Sequence, residues 1–244
     1  MNIEKIDPDA GPLGTQPQVL ANQANVARTS DKQWTQLRAT RDGSPIVFPW
    51  LQALVLEGFV WQVSVGSGTT PVGDGTVFAI ARPMVSVGTP AGTAVMPLSV
   101  SVSALNQLIA ADSDEIDIIV AVDRLSMVTG GAATEEIAFN LRTNLTTAIN
   151  IIGQNSRVAV RSVYTADATP TPVLGIELAH ELQRGDVQGV AATALWARAT
   201  LDYNPDIKPI IVGPGSLLVY WAGTAAVTAF ASAVWAELPS NVLL

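Results

Sequence analysis

Apolar and polar residues alternate along most of this chain from residue 45 onward, and the alternation predicts β-strands. It is strictest where Phe59, Trp61, Val63 and Val65 fall on one side of the chain, which is the pattern of a half-buried strand. The same criterion predicts strands at residues 53–65, 76–82, 92–102, 115–128, 157–166, 172–183, 190–203, 215–222 and 225–238. Pro97 predicts that its strand lies at a sheet edge or carries a bulge, because proline cannot donate to the ladder.

Two of the later strands have an apolar face that can be named from the alternation. In residues 190–203 that face consists of Leu195, Ala197, Ala199, Leu201 and Tyr203. In residues 225–238 the shared apolar face consists of Phe230, Val234, Ala236 and Leu238. Side chains two positions apart lie on the same face of a strand, so each set forms one continuous stripe.

Only short stretches of this chain have apolar residues at helical spacing. Short helices are predicted after the capping residues Ser30 and Ser103, since a serine before an apolar run is a helix-start signal. The apolar positions that support them are Trp34 and Leu37 in the first, and Leu105, Leu108 and Ile109 in the second. Residues 134–152 fit both periods, and we interpret them as a helical or mixed insertion.

The predicted strands are separated by turns rich in Gly, Pro, Asn and Asp, of which residues 66–75 (GSGTTPVGDG) are the clearest. Eight or nine strands in this arrangement indicate an all-β sandwich or barrel. Residues 1–44 differ, because Pro8, Pro12 and Pro17 stand among many Asn and Gln and too few apolar residues to fold alone. We therefore predict an extended N-terminal arm at 1–44 and a single β-sandwich domain at 45–244.

Charge is scarce along the chain. Only 14% of the 244 residues are charged, against about a quarter in a typical soluble chain. Residues 83–111 and 209–236 carry no charge at all. Because interface cores are depleted in charge, the deficit predicts that much of the surface is buried against partner chains. Prolines, glycines and alternation within 209–236 favour strands over a membrane-spanning helix there.

The net charge argues against nucleic acid as a direct partner. The chain has 13 Lys and Arg against 21 Asp and Glu, a formal charge of −8, and its lysines, Lys5, Lys32 and Lys208, are scattered. Proteins that bind a phosphate backbone concentrate basic residues instead. The first residues hold no basic segment followed by an apolar run, so no secretory signal is expected.

Groups able to do chemistry are few. The chain has no cysteine and one histidine, His180, which excludes thiolate catalysis and histidine-rich metal centres. His180 stands between Glu177 and Glu181, but a general base needs a nucleophile and an orienting group, and the sequence offers no such set. We interpret His180 as a polar-face strand residue. We expect no catalytic residue, no cofactor site, no metal site and no enzymatic activity.

Two further groups have alternative interpretations. The acidic group Asp112, Asp114, Glu115 and Asp117 lacks the glycine and distal glutamate of an EF-hand. We favour a solvated acidic loop leading into a strand, and calcium shared between subunits is the alternative. Tryptophans lie in or beside predicted strands at Trp50, Trp61, Trp196, Trp221 and Trp235. For them, packing in the core or at subunit contacts is favoured over stacking on a sugar.

The order of elements resembles the single jelly-roll capsid proteins of icosahedral viruses, including phages. The likeness rests on the extended arm, about eight strands, insertions in the middle and a closing apolar hairpin at residues 215–239 (GSLLVYWAGTAAVTAFASAVWAELP). It covers residues 45–240. The resemblance implies a jelly-roll-type antiparallel sandwich, a virion location and copies of the chain as partners in capsomers and a closed shell. Other virion proteins are further partners that it allows.

One departure from that family concerns the genome. Many RNA-virus jelly-roll proteins have an Arg-rich arm, whereas residues 1–30 hold only Lys5 and Arg28 as basic residues. A shell of this protein is therefore not expected to condense single-stranded RNA by itself. Motor-packaged double-stranded DNA, or a membrane under the shell, fits this arm better.

The alternative function is a trimeric β-sandwich binding module, such as a virion spike, a lectin-like head or a tumour-necrosis-factor-like trimer. It would hold a glycan or receptor with exposed loops such as 66–75 or 168–172. A shell protein forms large assemblies, whereas a binding module stops at a small oligomer. The sequence leaves host, genome type, lattice geometry and oligomer number open.

Overall fold

The computed structural model of the protein describes residues 19–21, 37–39, 49–75, 78–107, 114–142, 156–185, 196–223 and 227–240. The chain divides into two compact units, residues 1–53 and 54–244. In the first unit, strands β1 (Val19–Ala21) and β2 (Leu37–Ala39) pair in parallel. The sandwich belongs to the second unit.

The remaining described elements are one helix and thirteen strands. They are α1 (Trp50–Glu57), β3 (Val60–Val65), β4 (Val72–Gly75), β5 (Val85–Thr89), β6 (Thr93–Gln107), β7 (Asp114–Asp123), β8 (Thr134–Glu135), β9 (Phe139–Asn140), β10 (Ala159–Ser162), β11 (Ile176–Gly185), β12 (Trp196–Tyr203), β13 (Ile211–Val212), β14 (Gly215–Gly223) and β15 (Val227–Pro239). The second unit is thus all-β apart from α1, as the alternation predicts.

The strands form two antiparallel sheets. One has six strands in the order β11-β7-β14-β5-β10-β8. The other has seven, in the order β12-β6-β15-β3-β9, with β13 on β6 and β4 on β15. The two sheets pack face to face as a sandwich.

Four strand pairs are nested within one another along the chain. The first long strand, β3, pairs with the last, β15, and inside them β5 pairs with β14, β6 with β12, and β7 with β11. Two further contacts, β15 with β6 and β14 with β7, join these pairs into the two sheets. Successive nested pairs therefore alternate between the sheets: β3–β15 and β6–β12 lie in the seven-stranded sheet, and β5–β14 and β7–β11 lie in the six-stranded sheet.

The core lies between the sheets and takes alternate residues from each. From the six-stranded sheet it includes Ile118, Val120, Leu217 and Val219, and from the seven-stranded sheet Val63, Val102, Leu201 and Trp235. Burying one such branched side chain stabilises the fold by about 1.5–3 kcal/mol. Ala229, Ala231 and Ala233 contribute small side chains from β15, which lets large neighbours such as Trp235 and Trp221 fit between the layers.

The outer face of the six-stranded sheet is covered by the chain itself. Ile119, Leu218 and Tyr220 point away from the core and pack with Val128, Tyr164 and Ala168 from loops. Phe78 completes this cover, its ring centroid lying 5.2 Å from that of Tyr220. The central strand β14 is consequently buried on both faces over Gly215–Ala222.

Several predictions were wrong for a definite physical reason. Residues 53–57 are helical and belong to α1. Gly58, at φ 80°, ends this helix in a glycine-capped turn, in which Gly58 N–H donates to Val55 O and Phe59 N–H donates to Leu54 O. The predicted strand at 76–82 is a turn at 80–81, with Arg82 N–H donating to Ala79 O; residues 76 and 77 lie outside the described residues.

The predicted helix after Ser103 is also wrong. Residues 103–107 continue β6, because β12 and β15 pair with this stretch on both sides. Pro97 lies in an inner strand, at a stretch where the described pairing of β6 is with β15 alone, between the residues that pair with β13 and β12. A register shift opposite it, between Val234 and Trp235, confirms the predicted bulge. The predicted helix after Ser30 falls on residues outside the described ones, except Leu37, which begins β2.

The insertion at 134–152 is not helical in its described part. Residues 134–142 contain β8 and β9, which pair with β10 and β3, so this segment crosses from one sheet to the other. Residues 143–152 lie outside the described part. On β12, burial of Ala199, Leu201 and Tyr203 confirms the predicted face.

On β15 the face that packs between the sheets is not the predicted one. The core residues are Val227, Ala229, Ala231, Ala233 and Trp235. Phe230 and Val234 lie on the outer face, where Val234 packs with Val60, Met96 and Ala236. Both faces of this strand are apolar enough to be buried, so alternation alone assigned the wrong one.

Candidate functional site

His180 lies on β11, the end strand of the six-stranded sheet, with its ring between two carboxylates. Its Nε2 is 2.5 Å from Asp117 Oδ1 and its Nδ1 is 3.4 Å from Glu177 Oε1. The side chain is 40% exposed. Both ring nitrogens contact carboxylates, an arrangement that holds the ring in place and presents no nucleophile for it to activate.

The acidic group does not form a recognisable ion site in the described part of the chain. Glu115 and Asp117 lie on β7, which begins at Asp114, and Asp112 falls outside the described residues. Among the described residues, no three His, Asp or Glu side chains are arranged to hold a metal ion. Asp117 faces His180 instead.

The tryptophans occupy different environments. Trp61, Trp221 and Trp235 are buried between the sheets, so their faces are closed to a ligand. Trp50 is 53% exposed on α1, and Trp196 begins β12. Packing thus accounts for the three buried rings.

The two loops singled out as ligand contacts are tied to the fold. In residues 66–75 a bridge joins Ser67 to Thr70, and β4 pairs with β15. In residues 168–172, Ala168 is buried and the backbone of Thr169 pairs with Gly130. The second loop therefore belongs to the cover of the six-stranded sheet.

Two buried carboxylates, which no sequence motif marks, are held by uncharged donors. Asp123 accepts the backbone N–H groups of Leu125, Ser126 and Val173 and the hydroxyl of Ser126. Glu237 accepts the hydroxyl of Ser156, the N–H of Arg157 and the indole N–H of Trp235. Each of these two carboxylates anchors a loop to the end of a strand, so we assign both a structural role.

The outer face of the seven-stranded sheet is lined by short polar side chains. Ser64, Ser232, Ser101 and Asp202 stand in cross-strand register on β3, β15, β6 and β12. Ser101 Oγ donates to Asp202 Oδ1 at 2.6 Å. One end of this face is covered by α1, where Leu54 and Val55 pack near Met96.

Exposed large apolar side chains concentrate at two opposite sides of the sandwich. One side, here called the first margin, comprises β11 and residues 204–212. The second margin comprises residues 134–142 together with Leu56. Their exposed apolar residues are Ile176, Leu182, Ile207, Ile210 and Val212 on the first, and Leu56, Ile137 and Phe139 on the second. These are eight of the twelve exposed large apolar side chains of the described residues, and such a concentration is typical of interaction surfaces.

The topology fixes the opposition of the margins. β11 and β12 are end strands on the same side, in contact with each other. Residues 204–212 lead from β12 to β13, which pairs with β6 on that side. β8 and β9 are the end strands of the two sheets on the other side. Each copy of the chain thus has two unlike apolar sides.

Among the described residues no helix has the length and hydrophobicity needed to cross a membrane. Comparison with known proteins found no matching family model, no matching curated protein and no matching solved structure.

Proposed function

We propose that this protein is a capsid subunit of an icosahedral virus or phage, built on a jelly roll, whose role is to assemble with copies of itself. The observation that carries the proposal is the nested pairing of β3 with β15, β5 with β14, β6 with β12 and β7 with β11. In a jelly roll, eight strands pair in this nested order and divide between two sheets. The shorter strands β4, β8, β9, β10 and β13 are then additions within the connections.

The surface supports assembly as the role. Only 14% of the residues are charged, and a single copy of the chain leaves the apolar side chains of both margins exposed to water. A contact repeated between copies buries that surface, and closed symmetry limits the growth of the assembly. In the virion, the N-terminal arm of each copy would contact neighbouring copies.

Chemistry gives no competing role in the described part of the chain. The ring nitrogens of His180 contact carboxylates, and the buried carboxylates of Asp123 and Glu237 are satisfied by structural donors. A hydrolase needs a nucleophile, a base and a site for the reacting atom held together. A structural role therefore accounts better for these side chains.

The charge also shapes the proposed partners. A subunit with net charge −8 has little affinity for a phosphate backbone, so the genome is packaged without condensation by this chain. Fluorescence anisotropy with labelled single-stranded RNA at physiological salt tests this point. Tight binding by the purified protein would contradict it.

The native mass of the purified chain, measured by light scattering after size exclusion, tests the proposed function. The comparison is between the full chain and a variant without the first 30 residues, with electron microscopy of the largest species. We expect capsomers or shells from the full chain, and species that dissociate or change size when the arm is removed. A single chain would overturn the proposal, and a small oligomer indifferent to the arm would overturn it in favour of the trimeric binding module.

A further inference from the structure

We infer that copies of this chain associate side to side, with the first margin of one copy against the second margin of the next. This inference rests on the proposed function and names the surfaces through which the subunits would meet. The partner of each apolar margin is therefore a second copy of the same chain.

The first reason is the position of the apolar residues. Ile207 is 88% exposed and Leu182 46% on the first margin, and Ile137 is 56% and Phe139 49% exposed on the second. Removing apolar surface from water contributes about 25 cal/mol for each Å² buried. Joining the two margins covers both patches with one kind of contact.

The second reason is charge. Beside the first margin, the carboxylates of Asp117 on β7 and Glu177 on β11 both contact the ring of His180. Beside the second margin, Arg142 and Arg157 have no ion-pair partner among the described residues. The carboxylates of the second margin are engaged within the fold, Glu135 by Arg161 and Glu136 by the hydroxyl of Ser162. Its arginines can therefore meet the carboxylates beside the first margin, whereas two second margins would place arginine against arginine, and like charges oppose each other across an interface.

The third reason is geometry. A contact between identical surfaces closes after two copies, whereas a contact between two different surfaces leaves each end free to add another copy. Opposite margins on one sandwich therefore generate a ring when the rotation between neighbours closes. β8 and β9 have only two residues each, so the joint is made by side chains and not by extending a sheet.

Two variants, each with one margin blocked, test the inference. Leu182→Asp with Ile207→Asp blocks the first margin, and Ile137→Asp with Phe139→Asp blocks the second. All four residues are exposed, so both variants should fold, which circular dichroism and thermal unfolding verify. Ile80→Asp is the matched control, because Ile80 is 44% exposed over the central strand β14, away from both margins.

We expect each blocked variant alone to run as a single chain in light scattering, and the Ile80→Asp control to assemble like the unmodified protein. An equimolar mixture of the two blocked variants should give a species of two chains and nothing larger, because only one intact margin remains on each copy. If either variant instead forms two-chain species alone, the contact joins like margins and the inference is overturned.

The remaining outcomes separate the inference from the proposed function. If the unmodified chain assembles and both blocked variants assemble equally well, the capsid proposal stands and the margins are not its contacts. If the unmodified chain is itself a single chain, the proposed function fails, and the inference fails with it.

Discussion

The carboxylate of Asp123 accepts the backbone N–H of Val173 at 2.9 Å, joining the end of β7 to a segment fifty residues further along the chain. The same carboxylate holds the N–H groups of Leu125 and Ser126. It is fully buried, and buried anions are tolerated only when hydrogen bonds replace the lost water. Asp123 therefore fixes the course of the long connection between β7 and β11.

Asp123→Asn should destabilise the fold by about 2–4 kcal/mol, because an amide N–H₂ would face backbone N–H donors that need an acceptor. Urea unfolding followed by fluorescence measures the loss. Asp202→Asn is the matched control: Asp202 is exposed and accepts one hydroxyl, from Ser101, so its loss should stay within about 0.5 kcal/mol. Equal losses in the two variants would contradict the role given to Asp123.

Trp235 and Trp221 form a second matched comparison, since both are buried in the core. Trp235 Nε1 donates to Glu237 Oε1 at 3.0 Å, whereas Trp221 Nε1 has no hydrogen-bond partner among the described residues. Replacing each by Phe removes a similar area. Trp235→Phe should therefore cost about 2 kcal/mol more in the free energy of unfolding, the value of a hydrogen bond to a charged acceptor. Similar losses in both variants would argue against that bond.

Burial raises the pKa of all three tyrosines, Tyr164, Tyr203 and Tyr220. For Tyr220 the nearby charge of Asp123 raises the pKa further. The unfolded chain then loses these protons at lower pH than the folded chain. Stability is full below the ordinary tyrosine pKa of about 10 and falls as the pH rises above it.

For Tyr220 the expected slope above that pH approaches about 1.4 kcal/mol per pH unit. Urea unfolding at a series of alkaline pH values should show the decline, and Tyr220→Phe should make it shallower. Tyrosinate absorbance supplies the check: ionisation of all three tyrosines at their ordinary pKa in the folded protein would contradict burial as the cause.

Val163 adopts φ 49°, a left-handed conformation that β-branched residues avoid. It lies between Ser162, whose hydroxyl donates to Glu136, and Tyr164, whose hydroxyl meets that of Ser86 at 2.8 Å. These neighbours hold the strained backbone in place. Val163→Gly should therefore leave stability unchanged or raise it by about 1 kcal/mol, since glycine carries no steric cost there.

The control for this change is Val212→Gly, because Val212 is also partly exposed but lies in β13. There glycine should lower stability by about 1 kcal/mol through lost backbone order. Chemical unfolding of both variants gives the comparison. A loss at position 163 as large as that at 212 would show that the backbone is not strained.

Alternation predicted the strands well where one face is polar and less well where both faces are apolar. The strand β12 lies within its predicted range, and its core face is confirmed at Ala199, Leu201 and Tyr203. On β15 the outer residues Phe230 and Val234 are as apolar as the inner alanines, so the alternation gave no means to choose between faces. Helix α1 could have been predicted from Gly58, because a glycine directly after an apolar run is a signal for the end of a helix.

The candidate surfaces could not be found from sequence because they depend on long-range contacts. His180 was correctly placed in a strand, but its neighbour Asp117 is 63 residues away. Likewise, Ile137 and Ile207 stand on opposite sides only because the nested strand order puts β8 and β12 at opposite sheet ends. Whether an apolar residue is exposed depends on the folded structure, whereas the composition shows only that the residue is present in the chain.

The pairing of β3 with β15 also has a consequence for synthesis of the chain. β15 supplies neighbours to both β3 and β6, and it is synthesised after both of them. Folding dominated by such distant contacts is slow, and β3 and β6 lack this shared neighbour until β15 has been synthesised. Newly made chains would then need protection from aggregation in the cell, and a premature stop codon before Val227 would leave a chain unable to complete the seven-stranded sheet.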